Sequence, residues 1–159
     1  MKFSAQEEYG LRCLIEIARS GDSLTIPQIA EREHLSEPHV AKLLTILRKA
    51  GFIRSTRGHT GGYRLSSPPE QIAVGRVLEA LGGRLYEEGF CERHSGLTPT
   101  CAHGSSCAVQ FLWDDIQRAV DLVVNRVTLA DLLARTPAPA KLVRVRAKFN
   151  RQDRERISV

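Results

Sequence analysis

The feature that most constrains the fold is a pair of short helix-forming segments separated by a turn of three or four residues. Thr25, Pro27 and Gln28 supply a hydroxyl N-cap, a first-turn proline and the partner of a capping box. These signals predict a short helix over 27–33. Apolar residues recur every three and four positions over 37–49, which predicts a second helix. Two helices joined in this way form a helix-turn-helix, which presents its second helix to a DNA major groove.

A basic, glycine-rich hairpin follows the second helix. Residues 52–57 predict a strand, 58–62 a turn with three glycines, and 63–65 the returning strand. Arginines on both sides bracket the turn, and the glycines allow the backbone to approach a phosphate closely. A helix-turn-helix followed by a basic hairpin is a winged helix, so the sequence predicts DNA binding.

The charge distribution agrees with a polyanionic partner. The 159 residues carry a net charge of +5, and Lys and Arg outnumber Asp and Glu by ten to seven over 1–64 and by eight to two over 135–159. With 42% hydrophobic and 26% charged residues, the composition is that of a globular chain with a core. No apolar run approaches the roughly 20 residues that span a bilayer, and no secretory signal is evident. We therefore expect a cytoplasmic protein with no membrane partner.

The pattern along the chain predicts a mainly α-helical fold with a small β-wing, in which 1–83 form a winged helix-turn-helix DNA-binding domain. Residues 84–106 lose apolar periodicity, which predicts an irregular loop. Over 107–127 an apolar stripe runs past five turns, and one small domain cannot cover such a helix, so we predict a homodimer through it. This dimerisation helix and a short terminal helix make up 107–135. The basic tail, 136–159, is expected to be a weakly ordered arm.

Three of the four cysteines crowd into and just after the predicted loop. Cys13 lies among apolar residues of the first helix and is expected to be a buried thiol. Cys91, Cys101 and Cys107 fall within seventeen residues, and a cytoplasmic chain does not keep such residues for disulfides, so they indicate metal or redox chemistry. Their spacing is wide for a structural zinc site and suits an iron-sulfur cluster, which needs a fourth ligand. That ligand could come from elsewhere in the chain or from the loop, where the candidates are His94, His103, Glu87 and Glu88.

Taken together, these segments resemble the Rrf-two type of winged-helix, iron-sulfur-sensing transcription regulators, typified by IscR, NsrR, RirA and RsrR. The resemblance covers about residues 1–135. It rests on the Met-Lys-Phe-Ser start, the segment IPQIAEREHLSEPHVAKLLTILRKAGFI, the wing RSTRGHTGGYRL, the helix IAVGRVLEAL, the three-cysteine loop and the terminal VTLADLL. It implies a cluster at the dimer interface, with Cys91, Cys101 and Cys107 as its metal ligands.

The resemblance also bears on the fourth ligand. IscR-like members have a histidine three residues after the last cysteine, where this chain has Gln110. NsrR- and RsrR-like members take an acidic residue from the partner's first helix, and Glu8 stands at the matching position. We therefore expect Glu8 of the partner subunit to be the fourth ligand, with Glu7 and then His103 as the next choices. By the same resemblance a [4Fe-4S] cluster is favoured over a [2Fe-2S] cluster.

The function implied by the resemblance is a dimeric transcriptional repressor whose affinity for a palindromic DNA operator is controlled by the cluster, in response to redox state, nitric oxide or iron-sulfur status. A regulator of the same fold that uses a thiol switch or zinc is the alternative. We do not expect an enzyme, because no catalytic triad or phosphate-binding glycine loop has supporting spacing. The residues expected to contact DNA are Ser36, Glu37, His39 and Lys42 on the recognition helix and Arg57, His59, Thr60 and Arg64 on the wing.

Overall fold

The computed structural model describes residues 4–56, 61–87, 89–95, 97 and 107–135 and shows a mainly helical fold with a two-stranded antiparallel wing. This confirms the predicted fold class. The elements are α1 (Ala5–Ser20), α2 (Ile26–Glu33), α3 (Glu37–Lys49), β1 (Ile53–Thr56), β2 (Gly62–Leu65), a 3-10 turn (Pro69–Gln71), α4 (Val74–Gly82), α5 (Phe90–Arg93), α6 (Ala108–Val124) and α7 (Leu129–Arg135).

Local capping signals set the limits of the first two helices. Ser4 caps α1 through its side chain, which accepts a hydrogen bond from the Glu7 backbone N–H. The Glu7 carboxylate in turn accepts from the Ser4 backbone N–H at 2.7 Å, which completes a capping box. The predicted capping box of α2 is present, with the Thr25 backbone N–H donating to Gln28 Oε1 at 2.9 Å. α2 ends where His34 adopts a left-handed conformation, φ 53°. This turn leads into the second helix of the pair, α3, which has the predicted bounds.

One apolar core joins α1, α2 and α3, and residues of α4 and α7 belong to the same cluster. α3 contributes four aliphatic side chains that are fully buried, and each such side chain adds roughly 1.5–3 kcal/mol of hydrophobic stabilisation. The face of α3 that includes Lys42 stays exposed. The core therefore fixes which face of the recognition helix is turned outward. The buried residues of α3 are Val40, Leu43, Leu44 and Leu47.

The wing is a short ribbon that is fastened to the helix-turn-helix through its backbone. β1 and β2 pair antiparallel, and the segment before α2 adds a bridge in which Leu24 and Tyr63 exchange backbone hydrogen bonds of 3.0 and 2.8 Å. Gly62 lies at this contact, and a Cβ atom there would stand 2.7 Å from the Leu24 carbonyl oxygen. The wing thus depends on a close backbone approach that only glycine permits without a shift.

The chain after the wing returns to the core. Ala73 and Thr128 form an isolated bridge, and the Val74 N–H donates to the Val127 carbonyl at 2.9 Å. Because this bridge needs extended backbone, α6 ends at Val124, and the predicted helix over 107–127 is too long by three residues. Thr128 caps α7 with Asp131, whose pKa is lowered by hydrogen bonds from the Thr128 backbone and hydroxyl.

Among the described residues between α4 and α6 there is a helical turn, α5, so the expectation of an irregular loop is wrong over Phe90–Arg93. The turn begins after Gly89, φ 77°, and the rings of Phe90 and His94 stack at 4.1 Å across it. Residues 98–106 and the basic tail lie outside the described residues. Within the described part of the chain, no helix has the length and apolarity needed to cross a membrane.

Replacing Gly62 by alanine tests the contact between the wing and Leu24. Gly62→Ala should lower the free energy of unfolding by about 1–3 kcal/mol, because the opposing atoms belong to a backbone that cannot rotate away. Urea unfolding followed by circular dichroism measures this change. Ser67→Ala, at an exposed position just after the wing, should stay within about 0.5 kcal/mol of the parent. Equal stability of the two variants would contradict this account.

Candidate nucleic-acid interface and cysteine site

The amino-terminal end of α3 presents polar side chains to solvent. Ser36 occupies the N-cap position with an extended backbone, makes no side-chain capping bond and is exposed. Glu37 and Lys42 are also exposed, one at the start of the helix and one in its second turn. These side chains and the amino-terminal backbone N–H groups are the kinds of group that contact base edges and phosphates.

His39 is held more firmly than its neighbours. It is half-buried, and its ring meets the Tyr9 ring of α1 edge to face, with centroids 5.5 Å apart. The Arg12 guanidinium lies 5.5 Å from the centre of the same Tyr9 ring and is 2.7 Å from the Glu33 carboxylate at the end of α2. This hydrogen bond raises the pKa of Arg12. α1 therefore contacts both helices of the helix-turn-helix at the edge that carries His39.

The wing places two arginines directly opposite each other. Arg54 of β1 and Arg64 of β2 are cross-strand partners, and both are exposed. Like charges in this arrangement destabilise a free ribbon, whereas an anion placed between them would relieve the repulsion. The wing tip with Arg57, His59 and Thr60 lies outside the described residues. Of the four wing residues predicted to contact DNA, Arg64 is therefore the one whose position is described.

The cysteines differ in exposure. Cys13 is fully buried in the core, as predicted, and burial raises the pKa of its thiol to about 12. Cys91 on α5 and Cys107 at the N-cap of α6 are half-buried free thiols. Cys107 makes no side-chain capping bond, so its sulfur is available at the positive end of the helix dipole. Cys101 lies outside the described residues, and among those described no three His, Cys, Asp or Glu side chains gather to hold a metal.

A buried glutamine of α6 helps to hold residues 84–93, here called the Cys91 segment, against that helix. Gln117 is only 6% exposed, and its Oε1 accepts from the Tyr86 backbone N–H at 2.9 Å. Its Nε2 donates to Asp121 at 2.8 Å, and the other Asp121 oxygen binds Arg84 at 2.6 Å. Both partners on the loop side come just before Cys91. The polar network therefore sets the position of the Cys91 segment relative to the helix that begins after Cys107.

Tyr86 also contacts Cys91 through its side chain. The Tyr86 hydroxyl lies 3.6 Å from Cys91 Sγ, and this contact is the main reason that the pKa of Tyr86 is raised to about 12. Gln110 of α6 acts in the opposite direction and lowers the pKa of Tyr86, but its effect is smaller than that of Cys91. These groups line an open cavity of about 710 Å³ together with Asp114. The Cys91 sulfur is thus bordered by polar groups on the side of α6.

The structure distinguishes the candidates for a fourth ligand. Glu8 is exposed on α1, whereas the Glu7 carboxylate is engaged in the capping box with Ser4. The Glu87 carboxylate pairs with Arg93 at 3.1 Å, and His94 Nδ1 lies 2.8 Å from the Phe90 carbonyl oxygen. Of the candidates named from the sequence, Glu88 and His103 lie outside the described residues.

Sequence reasoning missed several residues that shape the site. Gln117 interrupts the apolar stripe of α6, and a polar residue inside such a stripe is the signal that could have marked it. The Ser4-x-x-Glu7 spacing is that of a capping box, and it would have set Glu7 apart from Glu8. The contacts of Tyr86 with Cys91 and of Tyr9 with His39 have no comparable signal, because they depend on tertiary packing.

An exposed recognition helix beside a basic wing defines a winged-helix DNA-binding protein, and comparisons with known proteins agree. Residues 3–135 match the model of the Rrf2 family, described as an iron-dependent transcriptional regulator. The chain belongs to the Rrf2 family of transcription regulators, and it is not an enzyme. The family predicted from the sequence is thereby confirmed.

Individual relatives support the same assignment. Protein rrf2 of Nitratidesulfovibrio vulgaris is 36% identical over 135 residues, which cover 84% of this chain and 87% of that protein. The structure of T. potens IscR superposes with a TM-score of 0.66 at 28% identity and covers 87% of this chain and 93% of that one. The global cysteine regulator CymR (YrzC) of B. subtilis superposes with a TM-score of 0.65 at 30% identity, and the match covers 86% of this chain and 99% of that one.

The role of Gln117 can be tested by removing its hydrogen bonds. Gln117→Leu should speed chymotrypsin cleavage in 84–93, because the Tyr86 backbone loses its acceptor and Asp121 loses its donor. Cleavage sites identified by mass spectrometry measure the effect. The control Asp115→Asn, on the exposed face of α6, should be cleaved at the parent rate. If both variants were cleaved at the parent rate, Gln117 would not anchor the segment.

Proposed function

We propose that this transcription regulator is a homodimer whose affinity for a palindromic DNA operator is set by an iron-sulfur cluster. The observation that carries the proposal is that the described cysteines occupy two different environments. Cys13 is buried in the core, whereas Cys91 and Cys107 stand half-buried next to α6, outside the winged-helix core. We also propose a cytoplasmic location and the role of a repressor.

In this proposal each subunit reads one half of the palindrome. α3 enters the major groove with Ser36, Glu37, His39 and Lys42, and the wing reaches the backbone or the minor groove with Arg57, His59, Thr60 and Arg64. To this set we add Arg54 as a proposed contact. Its position opposite Arg64 costs stability in the free ribbon and favours an anion between the two, which supports a phosphate contact.

The homodimer is supported by the way in which α6 is oriented. Its half-buried and buried side toward the loop is polar, with Gln110, Asp114, Gln117 and Asp121. Most of its large apolar residues are instead exposed in the single chain, by 52% at Leu112 and 65% at Val123, whereas Ile116, Val120 and Val124 are half-buried. An amphipathic helix with its apolar face in water needs a partner, and a second copy of the same helix supplies a matching face. The large apolar side chains of α6 that are exposed are Val109, Phe111, Leu112, Trp113, Leu122 and Val123.

The donor set suits an iron-sulfur cluster. Cys91, Cys101 and Cys107 would provide three thiolates, and Glu8 of the partner subunit would provide the fourth ligand, with a [4Fe-4S] cluster favoured over a [2Fe-2S] cluster. A cluster so bound offers a ligand site that nitric oxide, oxygen or a change of redox state can alter. Glu8 is exposed, and it precedes Tyr9, which packs against His39 of the recognition helix. Ligation through Glu8 would therefore bias the helix that reads DNA.

A thiol-based regulator of the same fold is the second candidate. It is favoured by the similarity to CymR, which matches the chain about as well as IscR does and of which the Staphylococcus aureus protein has a solved structure described as an oxidized form. In that case the half-buried thiols would respond to oxidation directly. The DNA-binding half of the proposal would be unchanged.

Neutralising Arg64 tests the proposed wing contact. Arg64→Gln should weaken operator binding and reduce the slope of log affinity against log salt by about 1, because one phosphate contact is lost. The free protein should become more stable by roughly 0.2–1 kcal/mol, since the repulsion from Arg54 is removed. Fluorescence anisotropy at several salt concentrations and urea unfolding measure the two quantities.

The control is Lys49→Ala, which removes a cation at the opposite end of α3, about 10 Å along the helix axis from Lys42. It should leave both the affinity and the salt slope near the parent values. If both variants lost affinity and both kept the parent's slope of log affinity against log salt, a specific phosphate contact at Arg64 would be contradicted.

Native mass spectrometry of protein purified without oxygen tests the cluster and the dimer together. The expected species is a dimer with the added mass of iron and sulfide, and that mass counts the irons. Glu8→Ala should lose the cluster faster or uncouple it from DNA binding, whereas Glu31→Ala, an exposed carboxylate of α2, should behave like the parent. A colourless dimer even after anaerobic reconstitution would refute the cluster and favour the thiol regulator.

A further inference from the structure

Thr45 lies on the side of α3 that carries Lys42 and is turned away from the core. It is exposed, and it follows Ala41 by four positions and Lys42 by three, so these side chains are neighbours on the helix surface. The buried residues of α3 hold the other side of the helix in the core. Thr45 therefore stands about one turn beyond the residues of α3 that are expected to contact DNA.

The hydroxyl of Thr45 is engaged within the helix. Its Oγ1 donates to the Ala41 carbonyl oxygen at 2.8 Å, and a hydroxyl has a single proton to donate. Thr45 therefore cannot donate to a base edge while this bond is kept. The γ-methyl is the apolar group that this exposed side chain offers to a partner.

The stability of the free chain does not require a threonine at this position. Threonine has a lower helix propensity than alanine, and a hydroxyl that bonds the carbonyl four residues back slightly destabilises a helix. Because Thr45 is exposed, it also adds little to the apolar core. A role in binding explains the residue better than a role in folding.

The surface around Thr45 is apolar on one side and cationic on the other. On the side of Ala41, the first turns of α2 and α3 border an open cleft that is apolar except for one carboxylate. On the other side, Lys42 supplies a charge that suits phosphates and the acceptor atoms of guanine. Such a surface matches a major-groove edge where a methyl group stands among hydrogen-bonding groups. The residues that line the cleft are Ile26, Pro27, Glu37, Pro38 and Ala41.

We propose that Thr45 is a specificity-determining residue, and that its γ-methyl contacts the C5-methyl of one thymine in each half-site of the operator. Thymine presents this methyl in the major groove, whereas adenine, guanine and cytosine present only hydrogen-bond donors and acceptors there. A threonine whose proton is already engaged gains an apolar contact from thymine and donates to none of the others. The inference rests on the proposed function in so far as α3 enters the major groove.

Deoxyuridine is the probe, because it differs from thymidine only in lacking the C5-methyl. The full-length protein, both as purified without oxygen and after treatment with a chelator, first selects duplexes from a random DNA pool. The preferred duplex is then remade with deoxyuridine in place of one thymidine at a time. Fluorescence anisotropy should show one position in each half-site at which the parent loses affinity roughly three- to fivefold, as expected for one methyl-sized apolar group. The slope of log affinity against log salt should not change, because no phosphate contact is lost.

Two variants separate the methyl of Thr45 from its oxygen, whose lone pairs can still accept a hydrogen bond from a base. Thr45→Ser keeps the hydroxyl and removes the methyl, so it should bind the thymidine and deoxyuridine duplexes with equal affinity. Thr45→Val keeps the branched shape and removes the hydroxyl, so it should discriminate as the parent does. The matched control is Thr128→Ser, which removes the same methyl from the threonine before α7 and should also discriminate like the parent.

The proposal is overturned if Thr45→Ser distinguishes thymidine from deoxyuridine as strongly as the parent does, or if the parent tolerates deoxyuridine at every position. It is also overturned if Thr45→Val loses the discrimination, since a methyl on the same branch would then not be the reading group. Failure of the proposed function has a different signature. The parent would then enrich no sequence from the random pool in either form, and the inference would fail with it.

Discussion

The burial of one face of α3 is the constraint on which the DNA-reading surface depends. Val40, Leu43, Leu44 and Leu47 are fully buried, so α3 cannot rotate about its axis without exposing several aliphatic side chains, each at a cost of roughly 1.5–3 kcal/mol. The capping box of α2 and the left-handed turn at its end fix where α3 begins. The exposed side of the recognition helix is therefore a consequence of core packing, and the wing is held beside it by the Leu24 bridge.

α6 differs from α3, which buries its apolar face in the core. In an isolated chain a helix buries its apolar face, but here the side toward the loop is polar and most of the large apolar residues face solvent. The inner polar side finds its partners in the Cys91 segment through Gln117 and Asp121. One helix thus serves two surfaces: its polar side positions a cysteine segment, and its apolar side is left for the second subunit that we propose.

The elements that could be predicted from the sequence are those set by local signals. The bounds of α3, the cap of α2 and the burial of Cys13 follow from periodicity and capping chemistry, which act over a few residues. The sequence did not predict the end of α6, because an isolated bridge to the segment before α4 stops the helix there. It also did not predict α5 or the contacts of Tyr86, since ring stacking and tertiary hydrogen bonds have no periodic signature.

The way in which the Cys91 segment is attached decides how easily it can rearrange. Apolar core residues hold the winged helix, whereas the segment after α4 is fastened to α6 mainly through the hydrogen bonds of Gln117, Asp121 and Arg84. Breaking a few hydrogen bonds that can be remade with water costs far less than opening a hydrophobic core. A chemical change at Cys91 can therefore shift this segment while α1, α2 and α3 stay folded. A regulator needs this division, because its DNA-reading surface must persist while its affinity changes.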